Sequence, residues 1–124
     1  MEKKIKILIN DLKVDAELNE SKSAQLIWEA LPIEAKINLW GEEIYFAIPV
    51  KAALEAAAKE IVSVGELGYW PTGQAFCIFF GRTPASRGDE IRAASAVNVI
   101  GKVLSDPGLL RKAKDGVRVT LERA

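Results

Sequence analysis

The segment from Gly65 to Gly81 carries the residues best placed to do chemistry. It holds adjacent Tyr69 and Trp70, a turn at Pro71 to Gly73, and an apolar run from Ala75 to Phe80 that ends on Gly81. Two neighbouring aromatics beside a turn are placed to line something, and the run after them has the length and aromatic content of a buried strand. Together they describe one wall of a pocket on a β-scaffold. Trp40, Tyr45, Phe46 and Phe76 extend the aromatic set, which suits a flat or apolar small molecule or a peptide segment. Glu42 and Glu43 stand at a hairpin tip, where successive side chains point to opposite sides. One of them can therefore face the pocket as an acid, a base or the partner of a cation, while solvation of the turn explains the pair as well. Arg82, at the exit of the pocket strand, is the best cation to bind a carboxylate, ahead of Arg87 and Arg92 in the connection that follows. Ser95 and Asn98 offer hydroxyl and amide hydrogen bonds, and capping or turn duty explains each equally.

Composition narrows the chemistry. Histidine is absent, which removes the commonest general base and every triad built on it. With no His and a single cysteine, a metal site would need clustered carboxylates, and none has such spacing; no metal or cofactor is expected. Cys77 lies inside the apolar run, where a buried inert thiol is the simplest reading. Lys plus Arg balances Asp plus Glu, 17 against 17, so no global field draws nucleic acid or an anionic membrane. The C-terminal stretch 101–124 is net basic, which a solvated terminal face accounts for. No apolar run approaches the roughly 20 residues of a membrane helix, and one free cysteine fits a reducing compartment. A cytoplasmic location is expected.

The elements that must position these groups are short. At 124 residues, 49% hydrophobic and 27% charged, the chain is expected to form one domain over 1–124 with its own core. Lys4 to Ile9 and Val14 to Leu18 alternate and read as a hairpin. Ser21 or Ser23 caps a short helix carrying Leu26, Ile27, Ala30 and Leu31, which Pro32 ends. Ala35 to Trp40 and Ile44 to Ile48 form a second hairpin around Gly41-Glu42. Lys51 to Lys59 is helical on propensity, and Ile61 to Val64 begins a strand. Arg82 to Arg92 is a long polar connection. Ala96 to Leu104 is a strand bent or bulged at Gly101, Asp106 to Lys114 a short helix, and Val117 to Leu121 a closing strand. Seven or eight strands with two or three short helices predict a mainly β fold, a closed eight-stranded barrel without free sheet edges.

Three ordered blocks resemble the small bacterial and archaeal cyclophilin-like proteins, a group without an established activity. They are Trp40-Gly41-Glu42-Glu43-Ile44-Tyr45-Phe46, Gly68-Tyr69-Trp70-Pro71 leading into Phe79-Phe80-Gly81, and Ala94 to Gly101. The resemblance spans essentially the whole chain and implies a compact eight-stranded barrel capped by helices, as in the true cyclophilins, which isomerise peptidyl-prolyl bonds. Those enzymes place an arginine over a pocket for the proline ring, within a Phe-His-Arg-Ile-Ile-Pro strand. The matching segment, Ile44-Tyr45-Phe46-Ala47-Ile48-Pro49, puts Phe46 in that position. Their Gln-Phe-Phe-Ile strand is matched by Gln74-Ala75-Phe76-Cys77, which keeps the Gln and the second Phe as pocket residues; a core role explains Phe76 equally. Their segment with Trp, Leu and His is matched by Arg92 to Val97, which has neither aromatic nor imidazole.

The sequence therefore predicts a cyclophilin-fold protein that binds a small molecule or peptide segment, with little or no isomerase activity. The expected pocket residues are Trp40, Glu42, Tyr45, Phe46, Tyr69, Trp70, Gln74, Phe76, Arg82 and Ser95. The alternative is an atypical prolyl isomerase that borrows an arginine from the 82–92 connection, and a third possibility is hydrolysis of a small amide or lactam by Glu42 or Glu43. Exposed aromatics around Trp40 and Trp70 equally suit a homodimer contact.

Overall fold

The computed structural model of the chain describes residues 3–124. Ile5, Ile7 and Ile9 alternate with Lys4, Lys6 and Leu8 along β1 (Lys3–Ile9), and Val14, Ala16 and Leu18 alternate with Lys13, Asp15 and Glu17 along β2 (Leu12–Leu18). Both sets therefore face one interior, and the strands pair antiparallel with Ile9 opposite Leu12. Asn10 takes the left-handed conformation that closes this turn, φ 53°, which Asn tolerates better than most residues. The Ser21 hydroxyl accepts from Ala24 N at 3.3 Å and caps α1 (Lys22–Ala30), which lays Ala24 and Ile27 on the core.

The remaining strands are β3 (Ile33–Lys36), β4 (Asn38–Leu39), β5 (Glu43–Ala47), β6 (Lys59–Val62), β7 (Glu66–Trp70), β8 (Ala75–Phe79), β9 (Ile91–Val103) and β10 (Arg118–Arg123). Two 3-10 helical turns, Pro71–Gly73 and Pro107–Lys112, complete the described elements. The architecture is mainly β, but the expected closed eight-stranded barrel needs correction. Ten strands form, and hydrogen bonding runs along an open path, β3-β10-β1-β2-β9-β7-β8-β5-β4, with β6 paired to β9 beside it. The cause lies at Ile37. The run expected as one strand breaks there, so that β3 pairs with β10 while β4 pairs with β5. Ile37 itself bonds to the start of the last strand, through Val117 O and Gly116 N. The two ends of the path are thus successive pieces of one chain segment.

β9 is the spine, pairing with β6, β7 and β2 along its 13 residues. Its register against β7 slips between Leu67 and Gly68, a bulge next to Gly101 where the sequence implied one. At Gly101 a Cβ would lie 2.0 Å from Glu17 O, so only glycine lets β9 cross this close to β2.

The helix expected over Lys51 to Lys59 is absent; residues 50–58 run irregularly into β6. Buried side chains from the sheet take the backbone groups a helix would have used. The Tyr69 hydroxyl donates to Val50 O at 2.8 Å and accepts from Ala52 N at 3.2 Å. Asn98 accepts from Glu55 N at 2.7 Å and donates to Ala53 O and Ser23 Oγ at 2.9 Å each. Ser23 Oγ in turn donates to the Glu55 carboxylate. Tertiary hydrogen bonds outweigh a helix propensity worth only tenths of a kcal/mol per residue. Asn98→Ala strands two partly buried backbone groups and is expected to cost about 2–4 kcal/mol in urea unfolding. Tyr69→Phe is expected to cost about 1 kcal/mol.

Candidate functional site

β5, β8 and β7 pair side by side, with Phe46 opposite Phe76 and Tyr69 opposite Phe76 across the two ladders. Strand alternation sends Ile44, Phe46, Tyr69, Phe76 and Ile78 into the interior, where Phe46 and Phe76 stack at 5.3 Å. The opposite faces of these strands carry Tyr45, Trp70, Ala75, Cys77 and Phe79. They are largely covered as well, with Tyr45 and Trp70 half-buried at the edge. β6 and the first half of β9 lie across them and build a second cluster with Val62, Ile91, Ala93 and Val97. Gly68 admits this layer, since a Cβ there would lie 3.0 Å from Val97 Cγ2.

A cleft of about 220 Å³ opens at the rim of this second cluster, lined by Trp40, Glu43, Tyr45, Trp70, Ala93, Ala94 and Val97. Trp40 is placed by the tight β4–β5 turn, whose Trp40 N donates to Glu43 O at 2.9 Å and in which Gly41 adopts φ 61°. Trp70 is fixed twice. Its indole Nε1 donates to Ser95 Oγ at 2.6 Å, and its ring lies so close to Gly73 that a Cβ there would be 2.5 Å from it.

Glu43 supplies the electrostatic feature of the cleft. The residue is only 5% exposed, and its Oε1 has no hydrogen-bond partner. No ion pair reaches it among the described residues. Burial pushes its pKa from 4.5 up to about 7, partly offset by the neighbouring Cys77 thiol acting as a donor. Burial first, then the Glu43 charge, pushes that thiol well above its ordinary range, so Cys77 is not a thiolate nucleophile.

The expected pocket residues separate accordingly. Trp40, Tyr45 and Trp70 converge on the cleft, and Ser95 joins them through Trp70. Phe46, Tyr69 and Phe76 lie in the interior and do not line it. Gln74, left-handed at φ 50°, donates through Nε2 to Ile48 O at 3.0 Å and ties β5 to β8 instead. Glu42 turns away from the cleft and pairs with Arg111 at 2.7 Å, so of the two tip carboxylates Glu43 is the one that faces it. Arg82 reaches only Ser86 O in the loop, at 3.4 Å, while Arg92 is held by Glu90 and Glu60. On β5, the residues aimed at the cleft are Glu43 and Tyr45 rather than Phe46, the residue aligned with the cyclophilin arginine. Ala93, Ala94 and Val97 complete the wall without a sequence signal to single them out, being small apolar residues on a long strand.

The raised pKa sets a pH dependence. Below about pH 4.5 Glu43 is protonated in folded and unfolded chains alike. As pH rises toward about 7 the unfolded chain ionises first, so stability carried by the protonated form is lost through that window and stays lost above it. Glu43→Gln is expected to remove this decline, matching the wild type near pH 4 and exceeding it at pH 8 by up to about 3 kcal/mol. Urea unfolding at the two pH values reads the difference; an equal gain at both would mean packing rather than charge.

The cyclophilin-like family model matches residues 3–122. The chain is also similar to a hypothetical protein from Archaeoglobus fulgidus whose structure was solved in solution. The two share 39% identity over 99% of this chain and 95% of that one, with a TM-score of 0.84. No curated protein matches the chain. Fold and sequence agree that this protein belongs to the cyclophilin-like family.

Proposed function

We propose that the outer cleft is a binding site for a small molecule with a flat or apolar body, and that the protein has little or no prolyl isomerase activity. The observation that carries this reading is the convergence of Trp40, Tyr45 and Trp70 on one hollow of about 220 Å³. A hollow of that size is below the usual range for drug-sized ligands and admits a compact ring more readily than an extended peptide. Trp70, held by Ser95 and by Gly73, is pre-ordered, so little side-chain freedom remains to be lost on binding.

The missing isomerase activity follows from charge. Twisting a prolyl amide faces a barrier near 20 kcal/mol, and the true cyclophilins meet it with an arginine over the proline pocket. Among the described residues no arginine lines this cleft. Loss of one preorganised charge typically costs about 3–4 kcal/mol, on the order of 100- to 1000-fold in rate. A cytoplasmic setting suits a protein whose single cysteine is a buried thiol.

A thermal-shift screen of small cyclic metabolites is expected to give hits that Trp70→Ala abolishes and Ser95→Ala weakens. Ligand at 100 times its dissociation constant adds about 2.7 kcal/mol, enough to raise the midpoint by several degrees. In a proline-limited refolding assay no acceleration is expected. Acceleration that disappears on Arg82→Ala but survives Lys51→Ala would reverse this reading in favour of the isomerase. A second copy seated on the same aromatics would instead appear as a concentration-dependent mass.

A further inference from the structure

We propose that the cleft is an aromatic cage for a small organic cation carrying an N–H, with the donor directed at the Glu43 carboxylate and the ring held among Trp40, Tyr45 and Trp70. The inference rests on the binding reading above and specifies its ligand class. Its basis is an unmet requirement. A buried polar atom nearly always has a partner, and burying a carboxylate without one is costly. Glu43 Oε1 has none, in a residue 95% withdrawn from solvent at the edge of an open hollow.

Buried Asn98 and Ser23 show the contrast. Together with half-buried Glu55 they satisfy one another and the 50–55 backbone. The Glu43 side chain lines the cleft, and such a partner is missing. The surrounding walls select its charge. Aromatic faces attract cations, by about 0.5–1 kcal/mol at exposed sites and 2 or more when desolvated, and three aromatic side chains line this hollow. Besides Glu43, the polar groups on the lining are the Tyr45 hydroxyl and the indole N–H groups of Trp40 and Trp70, that of Trp70 being taken by Ser95, so an anion would find few donors and would face the carboxylate. An ammonium with a hydrogen to give meets the Glu43 carboxylate and the aromatic faces at once.

Titration of the site is simple enough to test. The titratable groups facing Glu43 are the Cys77 thiol from β8 and, on its own strand, Tyr45; Trp40, Trp70, Ala93, Ala94 and Val97 bring no charge. A bound cation favours the ionised carboxylate, so affinity should rise as pH passes through about 7 and level off above it.

The test uses the intact protein and three ring probes at constant ionic strength, read by tryptophan fluorescence and calorimetry. Piperidinium carries charge and N–H, N,N-dimethylpiperidinium charge alone, and tetrahydropyran neither. At pH 8 piperidinium is expected to bind saturably, at least tenfold more tightly than tetrahydropyran and severalfold more tightly than the quaternary ring. Glu43→Gln should weaken piperidinium at least tenfold and leave tetrahydropyran unchanged. Trp40→Leu, which stays apolar but removes a π face, should weaken piperidinium severalfold, and tetrahydropyran less, in a variant with an intact carboxylate. Piperidinium affinity should fall roughly tenfold or more between pH 8 and pH 5.5. Equal binding of piperidinium and tetrahydropyran, or indifference to Glu43→Gln, would overturn the cation assignment while leaving a ligand cleft in place. A failure of all three rings overturns it too, and the broader thermal-shift set then decides the cleft by itself.

Discussion

The structure depends on β8, a strand buried on both faces. It has no exposed residue, and with β5 and β7 it separates the main core from a second apolar cluster under β6 and the early part of β9. A sheet covered on one side would leave Tyr45, Cys77, Phe79 and Trp70 in water. Covering the other side as well costs the protein a carboxylate that loses its solvent, because Glu43 shares the outward parity of Tyr45. The cleft forms where the cover ends. Its aromatic walls and its unpaired oxygen therefore share one cause, the incomplete roofing of a two-sided sheet.

This two-sidedness also limits what could be read from residues alone. The β1–β2 hairpin, the Ser21 cap and the Gly101 bulge were legible because alternation, capping chemistry and a lone glycine each leave a local mark. A strand buried on both faces leaves none, since every position is apolar. The run around Phe76 reads as a strand, but nothing in it tells which face meets the cleft; Phe46, Tyr69 and Phe76, expected to line the pocket, lie in the interior. Gly68 carries no mark of its role in the sequence either; its small size lets Val97 pack across β7. Lys51 to Lys59 misled in the opposite sense. Its composition favours helix, and only the fold could reveal that Tyr69 and Asn98, both distant in sequence, would occupy its backbone.

Family membership sharpens the contrast in chemistry. The true cyclophilins set a cation over their proline pocket, whereas the aligned strand here offers a carboxylate and a phenol to its cleft. The polarity of the site is inverted. A basic group stabilises developing negative charge on a carbonyl; an acidic one in an aromatic frame recognises positive charge or donors. The same strand carries both parts: Phe46, aligned with the arginine, joins the interior, while Glu43 and Tyr45 face the cleft.

That division has a practical side. Along β5, Ile44 and Phe46 fold the protein while Glu43 and Tyr45 furnish the cleft, and β4 to β5 adds Trp40 from a two-residue turn. Randomising the outward positions would leave the inward stacking untouched, so the chain offers a small, histidine-free scaffold on which new recognition could be selected in the laboratory without redesigning its interior.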